Sequence, residues 1–200
     1  MAPNRIMRGR FVRRALLLGA IAAALATGLG ACGGGSDSTT TAQEKEEDAA
    51  VVNEVLGRQL AAVSAYGEVL PLLRGTDLAV ARQFRAQEQE HADAATKMLR
   101  GLGAEAEPAE ETIEVEELKT RRDALNFLYE MESATIDHEL GALGQLHLGW
   151  TRPELAAMAT NQAQHLVLIR RALGAAPLET VPQAFETGET PAPEGMMNEP

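Results

Sequence analysis

Apolar residues recur at steps of three and four along four stretches of the chain, the period of a helix with one buried face. The first stretch predicts a helix over residues 48–74, with Leu56, Gln59, Val63, Tyr66, Leu70 and Leu73 on one stripe. The second predicts a helix over 77–102, with Leu78, Ala81, Phe84, Glu88, His91, Ala95, Met98 and Leu102. The third covers 116–148 through Leu125, Leu128, Glu132, Thr135, Glu139, Leu143 and Leu146. The fourth covers 153–173 through Leu155, Met158, Gln162, His165, Ile169 and Leu173. Runs of β-branched residues are scarce, so the fold class is all-α.

Turn chemistry divides these stretches. Gly75-Thr76-Asp77 is expected to stop helix 1 and cap helix 2, and Thr151-Arg152-Pro153-Glu154 has the form of a capping box opening helix 4. Gly101, Gly103 and Gly174 stand where C-terminal stops are wanted. Pro71 should kink helix 1 or end it early. Tight joins make helices 1 and 2, and helices 3 and 4, antiparallel hairpins. The join over 103–115 is long enough to run the length of a helix, roughly 40 Å when extended. The expected architecture is therefore a four-helix bundle of two hairpins with one long crossover. Gly141 and Gly144 are read as points of close helix approach, and Trp150 as a plug for one end.

The two ends of the chain are different in kind. Residues 1–31 hold five Arg and no acid, with an apolar Ala- and Gly-rich stretch after them. This is the pattern of an export signal, too short and too weakly apolar for a permanent membrane span. Leu29-Gly30-Ala31-Cys32 resembles a bacterial lipobox, which implies that Cys32 is acylated and holds the protein in membrane lipid on the outer face of the cytoplasmic membrane. Arg13-Arg14 leaves open twin-arginine export as well as the ordinary unfolded route. Residues 32–47 read as a lipidated Cys and flexible tether, 48–174 as the bundle, and 175–200 as an acidic, Pro-rich tail. Beyond residue 31 the chain has 13 basic against 29 acidic residues, which excludes nucleic acid as a partner. Its one Cys excludes a disulfide framework and a Cys-based zinc site.

Polar residues interrupt the apolar stripes at similar depth: Gln59, Glu88, His91, Glu132, Gln162 and His165. Helical phase separates them from other acids. Glu132 lies seven residues from Leu125 and shares its face, whereas Glu130 and Glu54 point elsewhere. Gln59 precedes Glu88 by 29 residues and Glu132 precedes Gln162 by 30. Each half thus carries one carboxyl-type residue, then an acid or amide with His three residues on, which puts both on one helical face. His138 and His147 fall off this layer.

That layout resembles the ferritin-like superfamily of di-iron or di-manganese carboxylate bundles, in which two helices each give one Glu and two each give Glu-x-x-His. The resemblance covers about 48–173 and is greatest to the bacterial ferritin-like group that includes desiccation-related proteins. Tyr66, Met131-Glu132, Leu140 to Gly144, and Val181 to Thr187 add to it. It implies that Glu88, His91, Glu132 and His165 occupy ligand positions. It also shows departures: Gln59 and Gln162 stand where the family has Glu, and Glu139 where an aromatic is common.

Two divalent ions bring four positive charges, and an amide neither neutralises them nor bridges two metals as a carboxylate does. No tight di-metal centre is expected. The polar layer is read either as a hydrogen-bonded network without metal or as a site for a single divalent ion, with Tyr66 and Glu139 as auxiliary members. The leading expectation is a membrane-anchored envelope lipoprotein with a degenerate metal site, a binding or structural module rather than an enzyme. The alternatives are an oxidoreductase acting on Fe, Mn or peroxide at an atypical site, and a scaffold that docks a protein partner or a second copy of itself through an apolar helix face.

Overall fold

The computed structural model describes residues 36–107, 115 and 118–180, with side chains from residue 41 onward. The export segment, Cys32, residues 108–114, 116 and 117 of the crossover, and the segment 181–200 lie outside the described residues. Four helices form the fold: α1 (Ser36–Val69), α2 (Gly75–Leu102), α3 (Arg121–Gln145) and α4 (Arg152–Leu173), with a short 3-10 turn at Leu70–Leu72. No strand occurs among the described residues, and no helix there is long and apolar enough to cross a membrane.

Helix α1 packs along α2 and α3 along α4, and the two hairpins meet mainly through α1 and α3. Pro71 ends α1 early, as its missing N–H and fixed φ require. Gly103 and Gly174 take φ values of 81° and 96° and close α2 and α4. In each, two backbone N–H groups turn back onto the last helical carbonyls: Gly103 to Arg100 and Ala104 to Leu99, Gly174 to Arg171 and Ala175 to Arg170.

The crossover leaves α2 beside Asn53, whose side chain donates to the Glu105 carbonyl (3.4 Å) and accepts from the Glu107 N–H (3.0 Å). It returns at the opposite end, where Val115 and Leu118 pack on the other half of the core. The described ends of the connection therefore lie at opposite ends of the bundle.

Several boundaries differ from their sequence expectation. Helix α1 begins at Ser36 instead of near Asp48, so residues 36–47 are helical and not a loose tether. Gln43, Glu44, Lys45, Glu46 and Glu47 are strong helix formers, and Gln43 bonds Glu47 one turn on. Asp48, buried inside α1, reaches across to accept the backbone N–H groups of His147 (2.7 Å) and Leu148 (2.9 Å) after α3. Helix α2 begins at Gly75 (φ 54°), which places Thr76 and Asp77 in its first turn instead of at its cap. Helix α3 starts at Arg121 because Thr120 and Asp123 form a capping box. The box expected at α4 does not form, since Thr151 Oγ1 donates to the Leu148 carbonyl (2.6 Å).

Glycine placement also differs. Gly141 and Gly144 face open space and bring no helix close. Gly101 lies within α2, where an added Cβ would stand 2.9 Å from Trp150 Cη2. Trp150 therefore lies over the end of α2 with its ring half exposed, and does not plug the bundle.

The core has two apolar clusters. One gathers Ala62, Tyr66, Val69, Phe84, Leu128 and Leu166 with their neighbours. The other gathers Val52, Leu56, Ala95, Leu99, Leu155 and Met158. Every helix passes from one cluster to the other, and at each passage stands a buried polar residue: Gln59, Glu88, Glu139 or Gln162.

Candidate metal centre

The polar layer forms one continuous chain of contacts across the bundle. Gln59 Nε2 donates to Glu139 Oε1 at 2.6 Å. Gln162 Nε2 donates to Gln59 Oε1 (3.4 Å) and to Glu88 Oε2 (3.2 Å). His165 Nδ1 lies 3.4 Å from Glu88 Oε1 and 3.0 Å from Glu132 Oε1. Tyr66 donates its hydroxyl to the same Glu132 oxygen in a short hydrogen bond. Gln59, Glu88, Glu139 and Gln162 are fully buried, and Glu132 and His165 are each 1 % exposed.

Local structure sets each member. Gln59 and Tyr66 are seven residues apart on α1, so they share its inner face two turns apart. Glu132 and Glu139 repeat that relation on α3. His165 is stacked against Phe84, with ring centroids 3.8 Å apart, and this fixes the plane of the imidazole. Its Nε2 is 3.0 Å from Gln87 Oε1. Donation from Nε2 to Gln87 leaves Nδ1 directed at the two carboxylates, the arrangement that orients a histidine ligand through its far nitrogen.

Charge inside this layer is strongly coupled. Burial pushes Glu139 up to about 9, helped by the nearby charges of Glu88 and Glu132, so it is protonated near neutral pH. Burial and the Glu88 charge raise Glu132, against the opposing pull of His165 and Tyr66. Burial works to raise Glu88 as well, but His165 and His91 beside it win and hold it below the usual carboxylate value. His165 is drawn down by burial and up more strongly by Glu132 and Glu88, reaching about 9. Burial, with Glu132 and Glu88 adding, raises the Tyr66 hydroxyl well above its ordinary value, so it remains a donor.

The structure brings Glu88, Glu132 and His165 together: each offers one ligand atom, and these atoms lie within 4.8 Å of one another. Glu88 Oε1 and Glu132 Oε2 are buried and accept no hydrogen bond. Gln59, Gln162, Tyr66 and Glu139 surround this trio as partners in the network. His91 stands outside it, 3.5 Å from Glu88 Oε2 on the solvent side of α2. Glu54 and Glu130 are exposed, as their phase requires, and His147 pairs with Asp48 far from the layer.

Two contributors, Gln87 and Arg58, are not among the residues the sequence singles out. Gln87 stands three residues after Phe84 and four before His91, on the same helical steps, and meets the His165 imidazole. Arg58 is 4 % exposed and donates from Nε to Thr135 Oγ1 at 3.3 Å. Its signal was legible, because Val55, Arg58 and Ala62 follow helical steps. Glu139, read from the sequence as an auxiliary member, is a full member of the layer through Gln59.

The sequence model of the ferritin-like domain family matches residues 39–175. The chain belongs to this family. No curated protein matches the sequence at a significant level. Two solved structures share the fold. One is a conserved hypothetical protein from Mycobacterium tuberculosis, with a TM-score of 0.58 and 18% identity over 64% of this chain and 97% of that one. The other is described as ferritin-like, diiron-carboxylate proteins from Bacillus anthracis, with a TM-score of 0.55 and 20% identity over 66% and 98%. The chain is an all-α, ferritin-like four-helix bundle with a buried Glu88/Glu132/His165 cluster in metal-ligand range.

Proposed function

We propose that this protein is an exported, lipid-anchored ferritin-like module of the cell envelope. It holds one divalent cation at Glu88, Glu132 and His165 and carries out no di-iron catalysis. The observation that carries the reading is the convergence of buried ligand atoms of Glu88, Glu132 and His165 within 4.8 Å, where Glu132 Oε2 accepts no hydrogen bond and Glu88 Oε1 has only the shared imidazole at 3.4 Å. A buried acceptor without a donor costs about 1–3 kcal/mol, and a cation at this point serves Glu132 Oε2 and Glu88 Oε1 together.

The donor set fits one such ion. Two carboxylates match a double positive charge, and mixed oxygen and imidazole donors suit Mn²⁺, Fe²⁺ or Zn²⁺. A second ion finds less counter-charge: Gln59 and Gln162 are neutral amides that cannot bridge two metals, which leaves Glu139 as the one further buried carboxyl group of the layer. When bound, the ion supplies local positive charge and ties α2, α3 and α4 together. Tyr66 and Gln162 occupy the remaining oxygens of Glu132 and Glu88 and hold them in place. The lipobox-like segment ending at Cys32 supports anchorage in membrane lipid.

Metal analysis of the purified chain after loading with Mn²⁺, Fe²⁺ or Zn²⁺ tests this reading. One ion per chain, bound much more weakly in Glu132→Gln, is the expected result. Two tightly held ions with oxygen or peroxide consumption overturns it and favours the second reading, an oxidoreductase at an atypical site. The presence of Glu139 as a third buried carboxylate is what favours that alternative.

A further inference from the structure

A cleft of about 260 Å³ opens on the outer surface between α2 and α4. Gln87, Glu90, His91 and Ala94 line it from α2, and Glu154 and Ala157 from α4. These two helices approach closely at only a few points, unlike the pairs within each hairpin. We propose that this cleft is the route by which a divalent cation reaches and leaves the buried cluster, with Gln87 and His91 as its inner gate. The inference rests on the single-ion reading above.

Two of the lining residues touch the cluster directly. Gln87 Oε1 meets His165 Nε2 at 3.0 Å, and His91 Nδ1 stands 3.5 Å from Glu88 Oε2. One layer of side chain therefore separates the cleft from two of the three ligands. His91 Nδ1 is buried and makes no hydrogen bond, and so is Asn161 Oδ1, which also lines the cleft. These atoms can take over waters that a hydrated cation sheds in stages on its way inward. Glu90 and Glu154 are exposed and acidic, and they raise the local concentration of cations at the cleft. Elsewhere the cluster is enclosed by the two apolar halves of the core, through which a charged species passes only at high cost.

A route differs from a ligand in what its alteration changes. Blocking it raises one barrier in both directions and leaves the end states alone. Ala157→Trp fills the cleft from an exposed position that touches no member of the cluster. Glu90→Gln with Glu154→Gln removes rim charge without changing volume. Stopped-flow absorbance of Co²⁺ binding to the full-length chain, and of its release to a chelator, reads both rates.

With Ala157→Trp, association and dissociation are expected to slow by the same factor, with Kd unchanged. The double Gln variant is expected to slow association and dissociation alike, about tenfold at low salt, with the effect fading as salt rises. Unchanged rates in both variants, with Co²⁺ still bound by Glu88, Glu132 and His165, overturns the route and leaves the site standing. Loss of affinity without a matched change in the two rates also overturns it, since these residues would then support the site itself. Failure of the parent chain to bind Co²⁺ overturns the site reading, and the route with it.

Discussion

Gln59 on α1 donates to Glu139 on α3 across 2.6 Å of fully buried space. The contact joins the two hairpins at the level where one apolar cluster gives way to the other. It is formed by an amide and a carboxyl group that burial pushes up to about 9. A neutral acid accepts from an amide without an uncompensated charge in the core, which is why the pair is tolerated there.

Stability should therefore fall as pH rises. Glu139 binds its proton more tightly in the folded chain than in the unfolded one, so folding is favoured below the unfolded value and loses that advantage as pH climbs towards 9. His165 acts with the same sign: its contribution is whole below about 6.5 and is lost as pH passes through about 9. Glu139→Gln keeps an acceptor for Gln59 and removes the titration. Urea unfolding at pH 5.5, 7 and 8.5 should show the variant gaining on the parent by about 1.4 kcal/mol per pH unit, roughly 4 kcal/mol over the range. The two should nearly coincide at pH 5.5. Parallel pH profiles would show that Glu139 does not carry the effect.

The two glutamines set the charge of the layer. Gln59→Glu with Gln162→Glu places new carboxylates against Glu139 and Glu88, their present hydrogen-bond partners. Without metal, the double variant should lose about 3–5 kcal/mol, the scale of an uncompensated buried charge. With Mn²⁺ or Fe²⁺ it should regain that stability and approach two ions per chain. Thermal melts with and without the ion, alongside elemental analysis, check both halves. An unchanged melt and an unchanged ion count together would show that the amides do not govern the site.

Burial of the polar layer was legible in the sequence because helical phase reports which face a residue occupies, although His91, read in the same layer, stands outside the Glu88/Glu132/His165 cluster. Gln59, Glu88, Glu132, Gln162 and His165 share buried faces at steps of three, four and seven. Phase does not report height across neighbouring helices, and Glu139 shows the consequence. It shares the face of Glu132, but only the packing of α1 against α3 places it beside Gln59. The same reasoning put Gly141 and Gly144 at a helix contact although they face open space. The start of α1 was missed for another reason. Residues 36–47 have no apolar stripe, and their helicity rests on propensity and the Gln43–Glu47 pair. At α3, Thr120 and Asp123 formed a legible cap that the acidic run before it obscured.

Asp48 gives a prediction away from the site. Its carboxylate accepts two backbone N–H groups, those of His147 and Leu148, and has His147 Nδ1 at 3.2 Å. Asp48→Ala leaves both amides without this acceptor and should cost about 2 kcal/mol in chemical denaturation. Asp48→Asn keeps one oxygen acceptor and should recover part of the loss. Hydrogen exchange at the His147 and Leu148 amides should quicken in the Ala variant even where the global midpoint moves little. Unchanged protection there would show that α1 does not fasten this turn.

Cation binding at Glu88, Glu132 and His165 must compete with protons, because a ligating imidazole is neutral. His165 is held at about 9 by Glu132 and Glu88 against the opposing effect of burial, so it is protonated through pH 6–8 when the site is empty of metal. Loading one ion should release one proton from the imidazole. The affinity should then rise about tenfold per pH unit over that range. Titration calorimetry in buffers of different ionisation enthalpy counts the protons directly. Glu132→Gln removes the strongest support for the imidazolium and should flatten the pH dependence while weakening binding. A proton count of zero in the parent chain would place the cation away from His165, on the carboxylates alone.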